Sequence, residues 1–474
     1  MKNTRDLVII GGGVGGLVTA SVAGQLGLDV VMIEKENRLG GDCLHYGCIP
    51  SKTLIRAAEV AHTVNTADEY GIQTGPGTTD LGAVMDRVRR VIEEIQLHDD
   101  PERFRGYGVD VRFGEARFVD SRHVEVNGET LAGKRFVIAT GSRPAVPPIP
   151  GMDEVDYLTN ETIFSQRELP TKLAVMGGGP IGLEMAQAFS RLGSEVTVIE
   201  MADQVLPRED PELTRELEGV LRTEGLQLMT GTAVEGVSQR DDNIQLTCQQ
   251  GEERRNVTAD TLLVAAGRKA NTGSLNLEAA GVATERGLIQ VDRRMRTTRR
   301  HIFAVGDCCG PLPFTHVAEY QAGIVIANAL FRFPKKADYR HIPWCTYTSP
   351  ELARAGLTEA EARDKGMAVE VARFRVADID RAKAEGQRNG LFKFVTSRGK
   401  LVGASILGPR AGELIHEPLL AMQAGLKLSQ ISGMVHAYPT LAEGNRRTVN
   451  TLFSPRLFAA GPRRLVRWLN RLLP

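Results

Sequence analysis

Short uninterrupted apolar runs alternate along this chain with stretches whose apolar positions recur at helical spacing. Leu7-Val8-Ile9-Ile10 is the first run, and Gly11-Gly12-Gly13-Val14-Gly15-Gly16 follows it at once. A helix-forming stretch then leads to Val30-Val31-Met32-Ile33 and Glu34. Runs this short, rich in β-branched residues and bounded by glycine, read as buried strands. The order strand, glycine turn, helix, strand, acid returns at Leu173-Ala174-Val175-Met176, Gly177-Gly178-Gly179-Pro180-Ile181-Gly182, Val196-Thr197-Val198-Ile199 and Glu200. From first glycine to acid, Gly11 to Glu34 and Gly177 to Glu200, the interval is 23 positions in both copies.

Each unit later reaches an apolar run ending in small residues, Phe136-Val137-Ile138-Ala139-Thr140-Gly141 and Leu262-Leu263-Val264-Ala265-Ala266-Gly267. Ile302-Phe303-Ala304-Val305-Gly306-Asp307 is a further strand that delivers an acid after a glycine. The first unit thus reads as interrupted by the second and resumed near residue 270. Residues 81–97, with Val84, Val88, Val91, Ile92 and Ile95, predict an amphipathic helix within the first unit. The composition changes near residue 341, where Pro343, Trp344, Tyr347 and Pro350 precede strand- and helix-like stretches.

Physical chemistry gives the repeat its meaning. Gly11 and Gly177 permit the turn, Gly13 and Gly179 let backbone approach a pyrophosphate, and Gly16 and Gly182 let helix and strand pack closely. The pyrophosphate sits at a helix N-terminus, where free N–H groups and the helix dipole favour anions. Glu34 and Glu200 can then each accept from a ribose diol. An acid at Glu200 accepts from a 2′-hydroxyl and repels a 2′-phosphate, although Arg208 follows closely. One such turn is weak evidence; two in full context point to two bound dinucleotides.

Composition narrows the picture. A chain of 474 residues exceeds one hydrophobic core, so two to four domains are expected. The 58 basic and 58 acidic side chains cancel, so no global field suggests nucleic acid. Six cysteines (43, 48, 248, 308, 309 and 345) are too few for a secreted disulfide framework. With no signal-peptide pattern and no apolar stretch of about 18 residues, a cytoplasmic location is expected.

The segment Gly40-Gly41-Asp42-Cys43-Leu44-His45-Tyr46-Gly47-Cys48-Ile49-Pro50-Ser51-Lys52 follows the first acidic strand end. Taken alone, its cysteine spacing admits two buried thiols, half a zinc site or a redox pair. Zinc needs two further ligands, and neither Cys308-Cys309 nor a histidine cluster forms a partner motif, so no resident metal is expected. In this context the segment resembles the redox-active disulfide of the class I pyridine nucleotide-disulfide oxidoreductases, which include dihydrolipoamide dehydrogenase, glutathione reductase and mercuric reductase. The resemblance covers roughly residues 5–450. It implies an α/β fold with two Rossmann-like dinucleotide-binding domains, for FAD and NAD(P), plus an α+β C-terminal dimerisation domain. The boundaries are then 1–150 and 270–340 for FAD, 151–269 for NAD(P), 341–455 for dimerisation and 456–474 for a basic amphipathic tail.

Residue by residue, the resemblance implies that Thr140-Gly141 line the FAD, with Gly267 the matching turn of the second unit, and that Asp307 holds the ribityl chain. Lys52 is expected near flavin N5, paired with Glu184. Cys48 is the flavin-proximal, charge-transfer thiol, and Cys43 the interchange thiol that meets the acceptor. The functional protein is a homodimer, because the C-terminal domain reaches the partner subunit's site.

Three departures qualify this. Thiol–disulfide members carry a His-Pro in that domain, five residues before a Glu. Here the run is His436-Ala437-Tyr438-Pro439-Thr440-Leu441-Ala442-Glu443, so Tyr438 takes the aligned place. With a reference pKa of about 10, tyrosine is a poor base near neutrality, and His436 is the alternative two residues away. A tyrosine here resembles mercuric reductase, but this chain lacks that enzyme's metal-capturing domain and Cys-Cys tail. Cys308-Cys309, the remaining vicinal pair, reads as packed. His45 and Tyr46 also replace the usual residues between the cysteines, and packing is the expected reason.

In place of the cysteine tail, Gly461-Pro462-Arg463-Arg464-Leu465-Val466-Arg467-Trp468-Leu469-Asn470-Arg471-Leu472-Leu473-Pro474 sets four arginines within an arc of roughly 100° opposite Leu, Val and Trp. That pattern suits an interfacial helix on an anionic membrane, on its inner face. The expected function is a mercuric-reductase-like NADH oxidoreductase whose acceptor is a soft metal ion or a thiol or disulfide. The alternatives are a dihydrolipoamide-type dehydrogenase using His436, and a membrane-associated redox sensor with low turnover.

Overall fold

The apolar runs become strands buried on both faces. The computed structural model describes residues 4–75 and 77–472. β1 (Leu7–Ile10) leads through the glycine turn to α1 (Val14–Gln25) and β2 (Val30–Glu34), and every residue of both strands is buried. α2 (Gly41–His45) and α3 (Cys48–Asn65) follow, then α4 (Leu81–Gln96). The buried stripe of α4 runs through Leu81, Met85 and Val88 and leaves Val84 and Val91 only half-buried. Steps of three and four residues place that stripe and the expected series Val84, Val88, Val91, Ile92 and Ile95 on one face. β3 (Val109–Phe113) and β4 (Phe136–Ile138) complete the first half. β4 ends earlier than its apolar run, where the Ala139 N–H turns to the Ile10 carbonyl at 2.7 Å.

The second copy gives β5 (Lys172–Met176), α5 (Pro180–Leu192) and β6 (Glu195–Ile199), then β7 (Thr261–Val264), which pairs in parallel with β5 through Leu173↔Thr261. The chain then returns to the first sheet with β8 (Ile302–Ala304), followed by α6 (Thr315–Val325). The first sheet is parallel throughout, in the order β8-β4-β1-β2-β3. Parallel pairing sends every strand's C-terminal end to one edge, where the glycine turn and Asp307 emerge. By contacts, the chain forms one unit of Met1–Gly177, Ala188–Thr197 and Val234–Asp338 and a second of Gly178–Gln187, Val198–Ala233 and Tyr339–Pro474.

The second unit is organised by an antiparallel sheet. β9 (Pro343–Thr346), β10 (Glu351–Gly356), β11 (Val369–Arg375), β12 (Leu391–Ser397) and β13 (Lys400–Gly408) lie in the order β9-β10-β13-β12-β11. Phe392, Phe394, Ile406 and Ile415 are among its fully packed core. α7 (Glu443–Leu457) closes on that core at Gly444, where a Cβ would lie 2.5 Å from the Phe392 ring. α7 runs through Pro455, so the expected 455/456 boundary falls inside a helix. α8 (Ala460–Leu472) follows with no buried residue; Leu473 and Pro474 of the expected tail lie outside the described residues. Among the described residues, no helix is long and apolar enough to cross a membrane.

Candidate redox site

The first turn is held by contacts only glycine tolerates. Gly11 has φ +111°, and a Cβ there would stand 2.3 Å from the Ala139 carbonyl oxygen. One at Gly16 would stand 1.9 Å from the Gly11 carbonyl oxygen. α1 begins at an N-cap Gly13 with no side-chain cap, which leaves its first N–H groups for an anion. Glu34 braces the turn: one carboxylate oxygen accepts the Gly12 N–H at 2.6 Å, the other the Glu36 N–H at 2.9 Å. The second turn repeats this device, with Glu200 accepting from Gly178 and Ala202, both at 2.7 Å. Gly177 has φ +113° and its Cβ would meet the Ala265 carbonyl oxygen at 2.5 Å, while Gly179 faces open space. Each acid therefore has a structural duty beside the expected ribose one.

The cysteines sit on two consecutive helices. Cys43 lies on the short α2, and Cys48 is the first residue of the 18-residue α3. That position lends Cys48 the positive end of a helix dipole, which favours thiolate. Both stand as thiols, Cys48 exposed and Cys43 half-buried. The Cys48 sulfur is 3.3 Å from the Thr315 hydroxyl at the start of α6. The Cys43 thiol is held well above the usual thiol range, chiefly by its hydrogen bond to Cys48 and then by burial. Lys52 lies one turn further along α3.

Between the cysteines, His45 is buried and its Nε2 is 2.8 Å from the Leu39 carbonyl oxygen. Burial holds this imidazole below its usual pKa. The Tyr46 hydroxyl accepts from Arg38 at 3.0 Å. Cys308 and Cys309 are both buried, with their thiols directed to the Val305 and Gly306 carbonyls at 3.2 and 3.4 Å. All four side chains are engaged with the protein itself.

A polar network not anticipated from the sequence joins the cysteine helix to Asp307. The Ser142 hydroxyl donates to Asp307 at 2.5 Å and accepts from Arg268 Nε at 2.7 Å. The Arg268 guanidinium lies 3.2 Å from Asp42 and 3.8 Å from Asp307. Asn160 donates to Asp42 and to the Tyr46 carbonyl, both at 3.1 Å. Burial raises the Asp307 pKa, against the Ser142 hydrogen bond and the Arg268 charge. One cation therefore serves two carboxylates. Upstream, the Gly306 N–H donates to the buried Gln321 at 2.6 Å. The Thr140-Gly141 turn is clamped by Asn271, whose side chain donates to the Thr140 carbonyl at 3.0 Å and whose N–H donates to that of Gly141 at 3.0 Å. Gly267 stands beside it, its carbonyl accepting the Ala145 N–H at 2.9 Å.

In the second unit, Tyr438 is 68% exposed and its hydroxyl donates to Asp380 at 3.3 Å. His436 is turned inward, with a side chain only 3% exposed and Nε2 3.1 Å from Glu417. Asn445 donates to the other Glu417 oxygen at 2.8 Å. Glu443 is buried at the head of α7; one oxygen faces Arg446 and Arg447, and the other has no partner. Glu184 accepts the Tyr347 N–H at 2.9 Å.

Two dinucleotide turns with a cysteine pair beside the first define a flavin- and nicotinamide-dependent disulfide oxidoreductase. Residues 5–322 match the family model described as pyridine nucleotide-disulphide oxidoreductase, and residues 342–448 match that family's dimerisation domain, so the chain belongs to this family. It is 36% identical to a mercuric reductase of Staphylococcus aureus over 93% of this chain and 81% of that one. It is 39% identical to a dihydrolipoyl dehydrogenase of Thermus scotoductus over 93% and 96%. Among solved structures, the Cu(II) complex of the HOCl-induced flavoprotein disulfide reductase RclA from Escherichia coli superposes with a TM-score of 0.85 at 31% identity, covering 93% of this chain and 99% of that one.

The family is FAD-dependent and uses pyridine nucleotides. The first turn fits an FAD pyrophosphate: Gly11 and Gly16 leave no room for a Cβ, the helix start lacks a side-chain cap, and a half-buried carboxylate stands at Asp307. When bound, the flavin supplies the two-electron relay between nicotinamide and cysteine pair.

Proposed function

We propose that this protein is a homodimeric, NADH-dependent, mercuric-reductase-like oxidoreductase that delivers electrons through Cys48 and Cys43 to a soft metal ion held by thiolates. FAD occupies 1–150 and 270–340, the nicotinamide nucleotide 151–269, and 341–455 forms the dimer contact. Gly11, Gly13, Gly16, Glu34, Thr140, Gly141 and Asp307 serve the first nucleotide. Gly177, Gly179, Gly182, Glu200 and Gly267 serve the second, and Lys52 with Glu184 flanks the reacting centre.

The exposed Tyr438 is the observation that carries the choice of acceptor. A disulfide acceptor needs Cys43 deprotonated by a base and its leaving thiol reprotonated. A phenol does this poorly near neutrality, and His436 is committed to Glu417. A soft metal instead displaces thiol protons as it binds, so it needs no such base. The relatives named mercuric reductase and the Cu(II) complex of RclA lend support. The test is anaerobic oxidation of NADH and NADPH by FAD-loaded protein, with a Hg(II)–thiol complex or lipoamide as acceptor. The expected result is turnover with the metal complex and at least about tenfold preference for NADH, the effect of Glu200 on a 2′-phosphate. Turnover with lipoamide alone would sink the metal reading in favour of a dihydrolipoamide-type reaction.

We further propose that α8 rests on an anionic membrane. Its four arginines oppose Leu465, Val466, Trp468, Leu469 and Leu472, and Trp468 is 57% exposed. Such a helix buries its apolar face at the interface while its cations meet lipid phosphates. Deleting residues 460–474 is expected to lower partition onto phosphatidylglycerol vesicles by about tenfold or more, since one buried Trp and several Leu are lost. Unchanged partition removes the idea.

A further inference from the structure

The edge of the first sheet away from its glycine turn carries a dense collection of cations. Arg122, Lys134, Arg135, Arg294, Arg296, Arg300 and Arg332 line one cleft of about 440 Å³, with no acidic residue on its walls. Arg135 immediately precedes β4, and Arg300 and His301 immediately precede β8. These strands are parallel, with Phe136 opposite Ile302, so the cleft lies at their N-terminal ends and the dinucleotide turn at the other. The separation along the strands is on the order of 10 Å. The cleft is not part of the redox site.

Local ion pairs do not satisfy this charge. Lys134 pairs with Asp6 and Arg296 with Asp292, both at 2.6 Å. Arg122 donates to the Lys134 carbonyl at 2.8 Å, a neutral acceptor. Among the described residues, Arg135, Arg294, Arg300 and Arg332 have no carboxylate within 4.0 Å. Six guanidiniums, five of them without a carboxylate partner among the described residues, thus converge on a concavity in a chain whose total charge is zero. Like charges held together repel, and the arrangement is relieved by a bound counter-anion. Guanidinium forks match phosphate oxygens in pairs, and the volume is that of a small-molecule site. We propose that this cleft binds an anion bearing clustered phosphates, either a free polyphosphorylated molecule or the phosphate-bearing headgroup of a lipid.

The test uses FAD-loaded full-length protein with saturating NAD⁺, which keeps both nucleotide turns filled. Inorganic triphosphate is titrated calorimetrically at low ionic strength, and binding to cardiolipin vesicles is followed by co-sedimentation. Saturable triphosphate binding is expected, weakened about tenfold or more in the double variant Arg135→Glu/Arg300→Glu, because charge-assisted bonds are lost. Arg388→Glu, at an exposed site outside the cleft, should leave it unchanged. Should the reversal variant lose flavin or melt early, Arg294→Gln/Arg332→Gln removes charge more gently and should weaken binding in the same direction. Cleft-dependent loss of vesicle binding without triphosphate binding would assign the phosphates to a headgroup. Binding to neither probe, or binding equally strong in every variant, overturns the proposal.

Discussion

Cys43→Ala is expected to lower acceptor-dependent NADH oxidation by about a thousandfold or more, because it removes the thiol proposed to meet the acceptor. Flavin content should stay at the level of the unsubstituted protein, since Cys43 contributes nothing to the turn around Gly11 and Gly16. The thiol is well placed for this role. It is half-buried, and its hydrogen bond to the exposed Cys48 together with burial raises its pKa. Cys48→Ala should also abolish turnover, but by removing the sulfur at the head of α3. The two variants separate in anaerobic titration with NADH. Cys43→Ala should retain the Cys48 sulfur at the head of α3, whose thiolate absorbs in the ultraviolet. Turnover that survives Cys43→Ala but not Cys48→Ala would reverse the assigned roles.

Arg268→Leu should produce protein that purifies with less than half the flavin of the parent. The guanidinium faces both Asp42 and Asp307 and also donates to Ser142. Removing it leaves two carboxylates without their shared cation, and burial already works against the charge on Asp307. The network is only partly buried, so the stability cost lies between surface and interior limits, at about 2 kcal/mol. That corresponds to a fall in Tm of about 2 °C, readable by calorimetry. Arg268→Lys keeps the charge but loses the fork, and should recover part of the flavin. Full flavin and an unchanged melt in Arg268→Leu would show that Asp307 is held by Ser142 alone.

The glycine turns were legible because their contacts are local: a turn, a helix start and a strand-end acid lie within 23 positions, and spacing encodes them. The cysteine pair was legible for the same reason. The network around Arg268 was not, because its members at 42, 142, 160, 268 and 307 share no spacing and meet only once distant stretches of the first unit fold together. Nor did the sequence indicate that Glu417 would claim His436, nineteen positions away. The cationic cleft was not legible either, because the convergence of Arg294, Arg296 and Arg300 with Arg122 and Arg135 depends on β4 and β8 lying side by side.

The doubled carboxylate brace has a consequence for redesign. An engineer wishing to convert the nicotinamide site to accept a 2′-phosphate would first exchange Glu200. That same side chain ties the loop after β6 to the backbone of the glycine turn through Gly178 and Ala202. Under the proposed preference for NADH, nucleotide choice and loop rigidity would therefore be one trait, inherited together. A swap that alters recognition alone needs a neutral acceptor of the same reach, such as glutamine, to keep the Gly178 N–H occupied, and the first turn with Glu34 is bound by the same constraint.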